Sequence, residues 1–330
     1  MPALARSSPR KIVALAGGVG AARFLDGLTR IVAPERLVVV GNVGDDAEIH
    51  GLHISPDLDT VMYTLAGVSD PVQGWGIRGD TFKCLDALGR LGAENWFRLG
   101  DRDLATHLYR TERLRHGATL SEVTRELTAA MGVRATIVPV TDQRLRTQLQ
   151  TRNGTLEFQT WFVRRRARDR VTSLRFVGAR DARPVDGLLE LLASAEGVIV
   201  CPSNPFISIG PILDVPGVRE ALRQLSAPVA AISPIIGGRA LKGPAARMMK
   251  SMGMRPSATA VAELYRDFVD IFVLDTLDRA QESKIARLNM RTVVTNTVMT
   301  GLRQKKALAA AVLKAMGIGR VLSPPATSDR

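Results

Sequence analysis

The chain contains few of the residues that build disulfide frameworks and metal centres. Its 330 residues include two cysteines and four histidines. Cys84 and Cys201 lie far apart and outside any zinc-binding spacing, so neither a disulfide framework nor a zinc site is indicated. We interpret both cysteines as buried thiols. His50 and His53 lie in a segment dominated by carboxylates, so the histidines do not predict a metal site either.

Long hydrophobic runs are also absent. The longest apolar stretches, such as 197–201 and 269–274, have the length of a strand and are far shorter than a bilayer span. We therefore predict no transmembrane helix. Residues 1–10 contain two arginines and no apolar segment of the signal-peptide type, so we expect a short disordered leader on a cytoplasmic protein.

Aromatic residues are scarce, at 5% of the chain against 45% for all hydrophobic residues, a balance typical of an aliphatic α/β core. The net charge of +13 is compatible with nucleic-acid binding, because Lys and Arg neutralise phosphates. The densest basic cluster, residues 164–170, lies between two strand-like runs, as expected for a solvated loop, and no nucleic-acid-binding motif accompanies it. We interpret the charge as attracting small anionic substrates, and we predict neither nucleic-acid nor membrane binding.

A glycine-rich turn near the start of the chain is the most informative feature that is present. The apolar run 11–16 has the length of a strand and is followed by Gly17, Gly18 and Gly20, and residues 21–31 have the pattern of an amphipathic helix. Glycines at such a turn let backbone N–H groups approach an anion, which the positive end of the helix favours. The turn predicts a phosphate site; the structural alternative is a tight turn that packs the helix on the strand.

Two common nucleotide-binding motifs are not matched. Arg23 stands where the dinucleotide fingerprint has its third glycine, which disfavours an NAD-dependent dehydrogenase. No Gly-x-x-x-x-Gly-Lys-Ser/Thr segment occurs, and residues 237–243 lack both its order and its hydroxyl, so the ATPase and GTPase loop is excluded.

The pattern of strands predicts the fold class. Residues 11–45 form a strand, a helix and a strand, and further buried strands at 197–201, 229–232 and 271–275 each end in polar or glycine-rich residues. We predict one α/β domain over 11–330: a doubly wound, mostly parallel, Rossmann-like sheet whose strand ends meet at one cleft. An insertion at about 60–185 contains helices between 80 and 114 and strands at 133–140, 146–150 and 156–163, with a hairpin signal at 152–154.

Three carboxylate-rich segments are candidates for catalysis. They contain, respectively, Asp45 with Asp46, Asp57 with Asp59, and Asp101 with Asp103. Oxygen ligands without His or Cys suit Mg²⁺, and a carboxylate could alternatively accept a proton from an attacking hydroxyl. In the structural alternative, Asp57 and Asp101 cap the helices that follow them.

Polar groups at two later strand ends could hold a nucleotide. Ser203 and Asn204 follow the strand at 197–201, and Gly237 and Lys242 belong to a glycine-rich loop after the strand at 229–232. Such groups can bind a base edge or a phosphate, whereas the structural alternative is again a turn. No Ser-His-Asp or Cys-His arrangement is evident, so covalent catalysis is not supported.

Motifs spanning nearly the whole chain in order closely resemble the 2-phospho-L-lactate transferase family. They are AGGVG at 16–20 with FLDGL at 24–28, ISPDLDTV at 54–61, WGIRGDTF at 75–82, LGDRD at 99–103, PSNP at 202–205 and SPIIG at 233–237. The resemblance implies transfer of a phosphoryl-linked three-carbon acid from a guanosine diphosphate conjugate to the ribityl hydroxyl of the deazaflavin FO, with release of GMP, in coenzyme F(420) biosynthesis. It also implies a homodimer and a partner guanylyltransferase that makes the donor.

The same resemblance implies roles for individual residues. Asp59 and Arg98 match positions that bind FO. The donor diphosphate is expected at Gly18 and Gly20, and the guanosine at Ser203, Asn204 and the Gly237 loop. Asp45 and Asp46 are candidate ligands of a Mg²⁺ cofactor, and Asp57 and Asp59 are candidate catalytic residues.

Two questions stay open at the level of sequence. Phospholactate, phosphoenolpyruvate and 3-phosphoglycerate donors differ by a few atoms, and the motifs do not distinguish them. The alternative function is a non-catalytic, nucleotide-sugar-binding regulatory protein of the same fold. The acceptor-side motifs at 75–82 and 98–103, which a pure binding protein would not require, favour the transferase.

Overall fold

The computed structural model describes residues 10–319 of the chain. The predicted leader at 1–10 lies outside the described residues apart from Arg10. The strands are β1 (Ile12–Ala16), β2 (Leu37–Gly41), β3 (Ala47–Ile49), β4 (Leu52–Ile54), β5 (Thr136–Pro139), β6 (Arg146–Thr151), β7 (Gly154–Glu157), β8 (Val171–Val177), β9 (Gly197–Val200), β10 (Val229–Ile232), β11 (Ile235–Ile236), β12 (Arg239–Ala240), β13 (Ile271–Asp275) and β14 (Arg291–Thr295).

Helices alternate with the strands of the sheet and cover its faces. They are α1 (Gly18–Leu28), α2 (Pro56–Leu65), α3 (Lys83–Arg90), α4 (Asp103–Arg115), α5 (Leu120–Ala130), α6 (Leu188–Ser194), α7 (Gly210–Asp214), α8 (Val218–Arg223), α9 (Ala245–Ser251), α10 (Ala258–Tyr265), α11 (Glu282–Ala286) and α12 (Leu302–Met316). None of the helices between residues 10 and 319 combines the length and apolar character that a bilayer crossing requires.

Seven parallel strands form the central sheet, in the order β14-β13-β10-β9-β1-β2-β5. From β1 the chain adds β2 and β5 on one side, and from β9 it adds β10, β13 and β14 on the other. The strand order therefore reverses between β1 and β9, which is where doubly wound sheets bind ligands at the carboxyl ends of their strands. The predicted doubly wound, parallel, Rossmann-like fold is confirmed.

Buried aliphatic residues produce this arrangement. Every residue of β1, β2, β9, β10 and β13 is buried, as expected for strands covered by helices on both faces. Helix α1 packs against both α2 and α12. Gly27 allows the second contact, because a Cβ atom there would lie 2.4 Å from the backbone carbon of Lys305 in α12.

The segment at 60–185 differs from the predicted insertion in two places. It contains α3, α4, α5 and an antiparallel β7-β6-β8 sheet with the expected hairpin, but β5 pairs in parallel with β2 and extends the central sheet. The strand predicted at 156–163 ends at Glu157, and Thr160–Arg164 form a π-helical turn. A helical turn lets Phe158 and Trp161 face the same core, whereas strand alternation would separate them.

The two cysteines also differ from each other. Cys201 is buried at the end of β9, whereas Cys84 is exposed. The prediction of two buried thiols is therefore wrong for Cys84. Helix α3 buries the neighbouring Leu85 and leaves Cys84 on its exposed face.

The glycine turn is shorter than predicted, because α1 begins at Gly18 and not at Ala21. Gly17 is extended, and Gly18 has a φ of +70°, a conformation that favours glycine. A Cβ atom at Gly20 would lie 2.2 Å from the carbonyl oxygen of Pro202. Gly20 thus permits the first turn of α1 to pack against the segment that follows β9.

Gly20→Ala tests this contact. The added methyl group would force α1 away from Pro202, so we expect the variant to lose about 1–3 kcal/mol of unfolding free energy. Urea denaturation followed by circular dichroism measures the change. Gly319→Ala is the control, because a Cβ atom there would meet nothing within 4 Å. Equal stability of the two variants would contradict the packing role of Gly20.

Candidate active site

A cavity of about 560 Å³ lies at the carboxyl ends of β1 and β9, where the strand order reverses. The glycine turn lines it together with the segment after β9, the start of α2 and the loop around Lys242. Of the predicted site residues, those that line the cavity are Gly18, Gly20, Asp45, Asp57, Asp59, Arg98, Ser203 and Asn204. The fold thus brings together residues that are up to about 190 positions apart.

The glycine turn is held from both sides. The backbone N–H of Gly17 donates a hydrogen bond to Ser203 Oγ at 3.2 Å, which joins β1 to the segment after β9. A Cβ atom at Gly17 would lie 2.3 Å from Asp57 Oδ2 and 2.7 Å from Ser208 Cβ. Only glycine therefore allows the Asp57 carboxylate to lie directly against the turn.

Asn42 joins two buried carboxylates beside this turn. Its Nδ2 lies 2.9 Å from Asp57 Oδ2 and 3.1 Å from Asp45 Oδ1, and it also donates to the Ile207 carbonyl. Its Oδ1 accepts a hydrogen bond from the Gly44 N–H, which fixes the amide orientation. The Asn42 amide therefore holds Asp45 and Asp57 next to each other, and both residues line the cavity.

Both carboxylates are held at an electrostatic cost. Burial raises the pKa of Asp57 to about 7, and the charge of Asp46 adds to the effect although the hydrogen bond from Asn42 opposes it. Burial and the neighbouring Asp57 and Asp46 raise the pKa of Asp45 well above its usual range. A cation in the cavity would relieve this repulsion.

Asp45 and Asp57 could supply part of a Mg²⁺ ligand set. No cluster of three or more His, Cys, Asp or Glu side chains suited to a metal ion occurs in residues 10–319. Mg²⁺ usually keeps several waters and takes one or two carboxylates together with substrate phosphates. Asp45 and Asp57, adjacent to a predicted phosphate turn, match that partial ligand set.

Two predicted site residues are not brought to the cavity wall. Asp46 points to the other side, where its Oδ2 accepts hydrogen bonds from Ser55 Oγ and pairs with His53 Nε2, each at 2.9 Å. Gly237 donates its N–H to Asp278 Oδ2 at 2.9 Å and does not line the cavity. Asp46 Oδ1 is buried without a hydrogen-bond partner, so only one oxygen of this carboxylate is engaged. Asp46 as a metal ligand and Gly237 as a nucleotide contact stay predictions, although neither residue lines the cavity.

Asp59 belongs to a buried ionic network. The Arg110 guanidinium, which is 1% exposed, donates to both oxygens of Asp59, one of them at 3.1 Å. His107 Nε2 lies 3.2 Å from Asp103 Oδ1, which also accepts a 2.6 Å hydrogen bond from Tyr63 Oη. Burial alone would raise the pKa of Asp103, but His107 and Tyr63 outweigh it and the pKa is lowered.

Engagement by Arg110 changes the interpretation of Asp59. A carboxylate with both oxygens bonded to a guanidinium has little capacity left to accept a proton from a substrate. Asp59 therefore presents to the cavity a fixed, already paired carboxylate, together with Tyr63 and His107.

Aromatic side chains form one wall of the cavity. In a chain with few aromatics, this wall contains two of the three tryptophans; its members are Tyr63, Trp75, Trp96, Phe97, Phe158 and Phe162. Phe158 and Phe162 are stacked with their ring centroids 5.4 Å apart. Arg98 lies at the same end, with its guanidinium 3.9 Å from the centre of the Phe82 ring. This wall suits a flat, apolar ring system.

A reciprocal capping arrangement holds the loop that carries Arg98. Asp101 accepts hydrogen bonds from the N–H groups of Lys83 and Cys84 at the start of α3, both at 3.0 Å. Asp80 accepts from the N–H groups of Arg102 and Asp103 at the start of α4. The capping alternative for Asp101 thus holds for a different helix from the one expected.

Asp57 does not cap the helix that follows it. Helix α2 begins at Pro56, so Asp57 lies inside its first turn and Ser55 occupies the cap position. Asn204 is part of a turn of its own, because its Oδ1 accepts a hydrogen bond from the Phe206 N–H at 2.9 Å.

Comparisons with known proteins identify the family of the chain. The family model "2-phospho-L-lactate transferase CofD" matches residues 12–314. The chain belongs to this family. It is 38% identical over 304 residues to a 2-phospho-L-lactate transferase of Methanosarcina mazei, covering 92% of this chain and 100% of the relative.

Bacterial relatives carry a different name. The chain is 38% identical over 310 residues to a phosphoenolpyruvate transferase of Streptomyces griseus, covering 92% of this chain and 98% of that one. It is 43% identical over 271 residues to one of Mycolicibacterium smegmatis, covering 77% and 83%. A crystal structure of a UPF0052-family protein from Bacillus halodurans shares the fold, with a TM-score of 0.62, 15% identity and coverage of 93% and 99%.

Sequence reasoning missed several groups that shape the cavity. Asn42 belonged to a quoted segment, but nothing local indicated that its amide joins two carboxylates. Phe158 and Phe162 lay in a predicted strand, and Arg110 and His107 lay on a helix with no distinguishing motif. His107 and Arg110 are three residues apart and therefore lie on one face of a helix. That spacing was the sequence feature that could have indicated a shared carboxylate partner.

The raised pKa of Asp57 predicts a pH-dependent stability. The folded chain binds the proton more tightly than the unfolded chain, so stability falls as pH rises from about 4 through about 7. Asp57→Asn removes this loss. With EDTA present, we expect the variant to gain stability relative to the parent between pH 5 and pH 8, on the order of 1–4 kcal/mol.

Denaturant titrations across this pH range provide the measurement. The control is Asp186→Asn, which removes an exposed aspartate and should leave the pH profile unchanged. Parallel profiles for the parent and the Asp57 variant would contradict the electrostatic cost assigned to Asp57.

Proposed function

We propose that the protein transfers a phosphoryl-linked three-carbon acid from a guanosine diphosphate conjugate to the ribityl hydroxyl of the deazaflavin FO, releasing GMP, in coenzyme F(420) biosynthesis. The observation that carries the proposal is one cavity lined by two kinds of group. Buried carboxylates and a glycine turn lie at the switch point of the sheet, and aromatic side chains and Arg98 line the same cavity. The first set suits a diphosphate with its metal ion, and the second suits a flat heteroaromatic acceptor.

The donor end consists of the glycine turn and the segment after β9. Gly18 begins α1, whose positive end favours phosphate, and Ser203 and Asn204 lie beside it. Asp45 and Asp57 would hold Mg²⁺, which when bound neutralises charge on the diphosphate. We therefore replace the initial pair Asp45 and Asp46 by Asp45 and Asp57.

The chemistry then requires mainly positioning. The acceptor hydroxyl oxygen bonds to the outer phosphorus of the donor, and the bond from that phosphorus to the bridging oxygen breaks. GMP departs with the bridging oxygen. The acceptor hydroxyl loses its proton, which the phosphate of the departing GMP can take up. Because phosphoryl transfer passes through a loose transition state, in-line alignment and charge neutralisation supply most of the acceleration. Asp59, fixed by Arg110, contributes by orienting the acceptor and not as a base.

The names of the relatives bear on the donor. Relatives in Methanosarcina are named for phospholactate and those in Streptomyces for phosphoenolpyruvate. Both acids, like 3-phosphoglycerate, carry one carboxylate and one phosphate on three carbons. A guanylyltransferase that forms the conjugate is the partner that such a substrate requires.

A coupled assay tests the proposal directly. Purified protein is mixed with FO, Mg²⁺, GTP, a guanylyltransferase and each of the three acids in turn, and the deazaflavin is analysed by mass spectrometry. A mass gain matching one acid establishes the transfer and identifies the donor. If FO and GDP bind but no acid gives a product, the transferase proposal fails and the non-catalytic alternative replaces it.

Arg98→Ala tests the acceptor end. The guanidinium lies against the Phe82 ring and we assign it to the acceptor, so its removal should weaken FO binding about tenfold or more while GDP binding stays within about twofold. FO fluorescence titration and calorimetry with GDP measure the two affinities. Arg90→Ala, an exposed arginine that does not line the cavity, is the matched control. An equal loss of GDP affinity in folded Arg98→Ala would show that the assignment is wrong.

A further inference from the structure

Two basic side chains line the donor end of the cavity and have no role so far. Arg23 lies on α1, four residues after Val19 and therefore on the same helix face. Lys242 belongs to the loop between β12 and α9 and meets that face from the opposite side. Their proximity is indicated by Gly74: a Cβ atom there would lie 2.7 Å from Val19 Cγ1 and 3.3 Å from Lys242 Nζ.

Neither cation forms an ion pair with an acidic side chain of the described residues. Within residues 10–319, no carboxylate lies within 4.0 Å of the Arg23 guanidinium or of Lys242 Nζ. Lys242 donates to the carbonyl oxygens of Val72 and Gln73, at 3.1 and 2.9 Å. Those carbonyls satisfy two of the three N–H groups, and the charge of Asp70 compensates the ammonium only from a distance beyond that of an ion pair.

The two cations also oppose each other. Partial burial lowers the pKa of Lys242, the charge of Arg23 lowers it further, and the charge of Asp70 opposes both effects in part. Two like charges that face one cavity repel each other, weakly where solvent reaches them, and an anion between them would remove this repulsion. The carboxylates of Asp45 and Asp57 do not serve this purpose, because they point to the Asn42 side of the glycine turn.

We propose that Arg23 and Lys242 bind the carboxylate of the donor's three-carbon acid. This inference rests on the proposed function and deepens it. In the proposed function the glycine turn, with Mg²⁺ at Asp45 and Asp57, would hold the diphosphate, so the remaining anionic group of the donor is the carboxylate of the acid. All three candidate acids carry it, and the pair therefore selects for the class of acid and not for one member.

A turn in the segment 69–77 positions Lys242. The segment 69–77 folds back on itself through the Ser69–Ile77 bridge, and Asp70 Oδ1 accepts hydrogen bonds from the N–H groups of Val72 and Gln73. This turn presents its carbonyl oxygens to Lys242. These two contacts hold the ammonium near Val19 at the start of α1, although the Lys242 side chain is exposed.

Two stable donor analogues test the proposal. Each has a methylene group in place of the bridging oxygen of the guanosine diphosphate, and the outer phosphorus is esterified with lactate in one and with lactamide in the other. They differ by a single negative charge. Calorimetry with Mg²⁺ present should show that the parent protein binds the lactate analogue about tenfold or more tightly than the lactamide analogue.

Arg23→Gln, Lys242→Gln and the double variant should lose this preference while their affinity for GDP stays within about twofold. Arg239→Gln, an exposed arginine on β12 of the same loop region that does not line the cavity, is the control and should keep it. Thermal denaturation verifies that each variant is folded.

Other outcomes are informative in distinct ways. A carboxylate preference that persists in the folded double variant overturns the subsite and leaves the transferase proposal intact. A parallel loss of GDP affinity also overturns it, because the cations would then bind the diphosphate. If the parent protein binds neither analogue nor GDP, the proposed function itself fails and the subsite with it.

Discussion

The cavity depends on the close contact between the first turn of α1 and the segment that follows β9. Gly17 donates to Ser203, and Gly20 lies against the Pro202 carbonyl with no room for a side chain. This contact joins the two strands at which the order of the sheet reverses. A larger residue at either glycine would separate them and open the donor end.

Charge placement follows from that geometry. The absence of a side chain at Gly17 lets Asp57 approach the turn, and Asn42 then holds Asp57 and Asp45 on one side of it. The positive end of α1, Arg23 and Lys242 line the same cavity. A cavity in which carboxylates and cations face the same phosphate turn is organised for an anionic ligand that brings a metal ion with it.

The acceptor end is built by different means. Asp80 and Asp101 cap each other's helices, which holds the loop between α3 and α4 and places Arg98 at the cavity. The π-helical turn after β7 adds Phe162 to the aromatic wall. Both features lie in the segment 60–185, whereas the glycine turn belongs to the central sheet. The proposed acceptor site is therefore an addition to the scaffold that carries the proposed donor site.

The sequence by itself determined the fold class, the phosphate turn and the family, because buried strand runs, glycine spacing and ordered motifs are local properties of the chain. It also indicated Asp45 and Asp57, Arg98, Ser203 and Asn204 as residues of one cleft. Only the tertiary structure decided that Asp45 faces the cavity while the adjacent Asp46 faces His53. It also decided that the Arg110 guanidinium pairs with the Asp59 carboxylate. Such choices depend on partners far away in sequence, and the direction of one side chain at the end of a strand has no local signature.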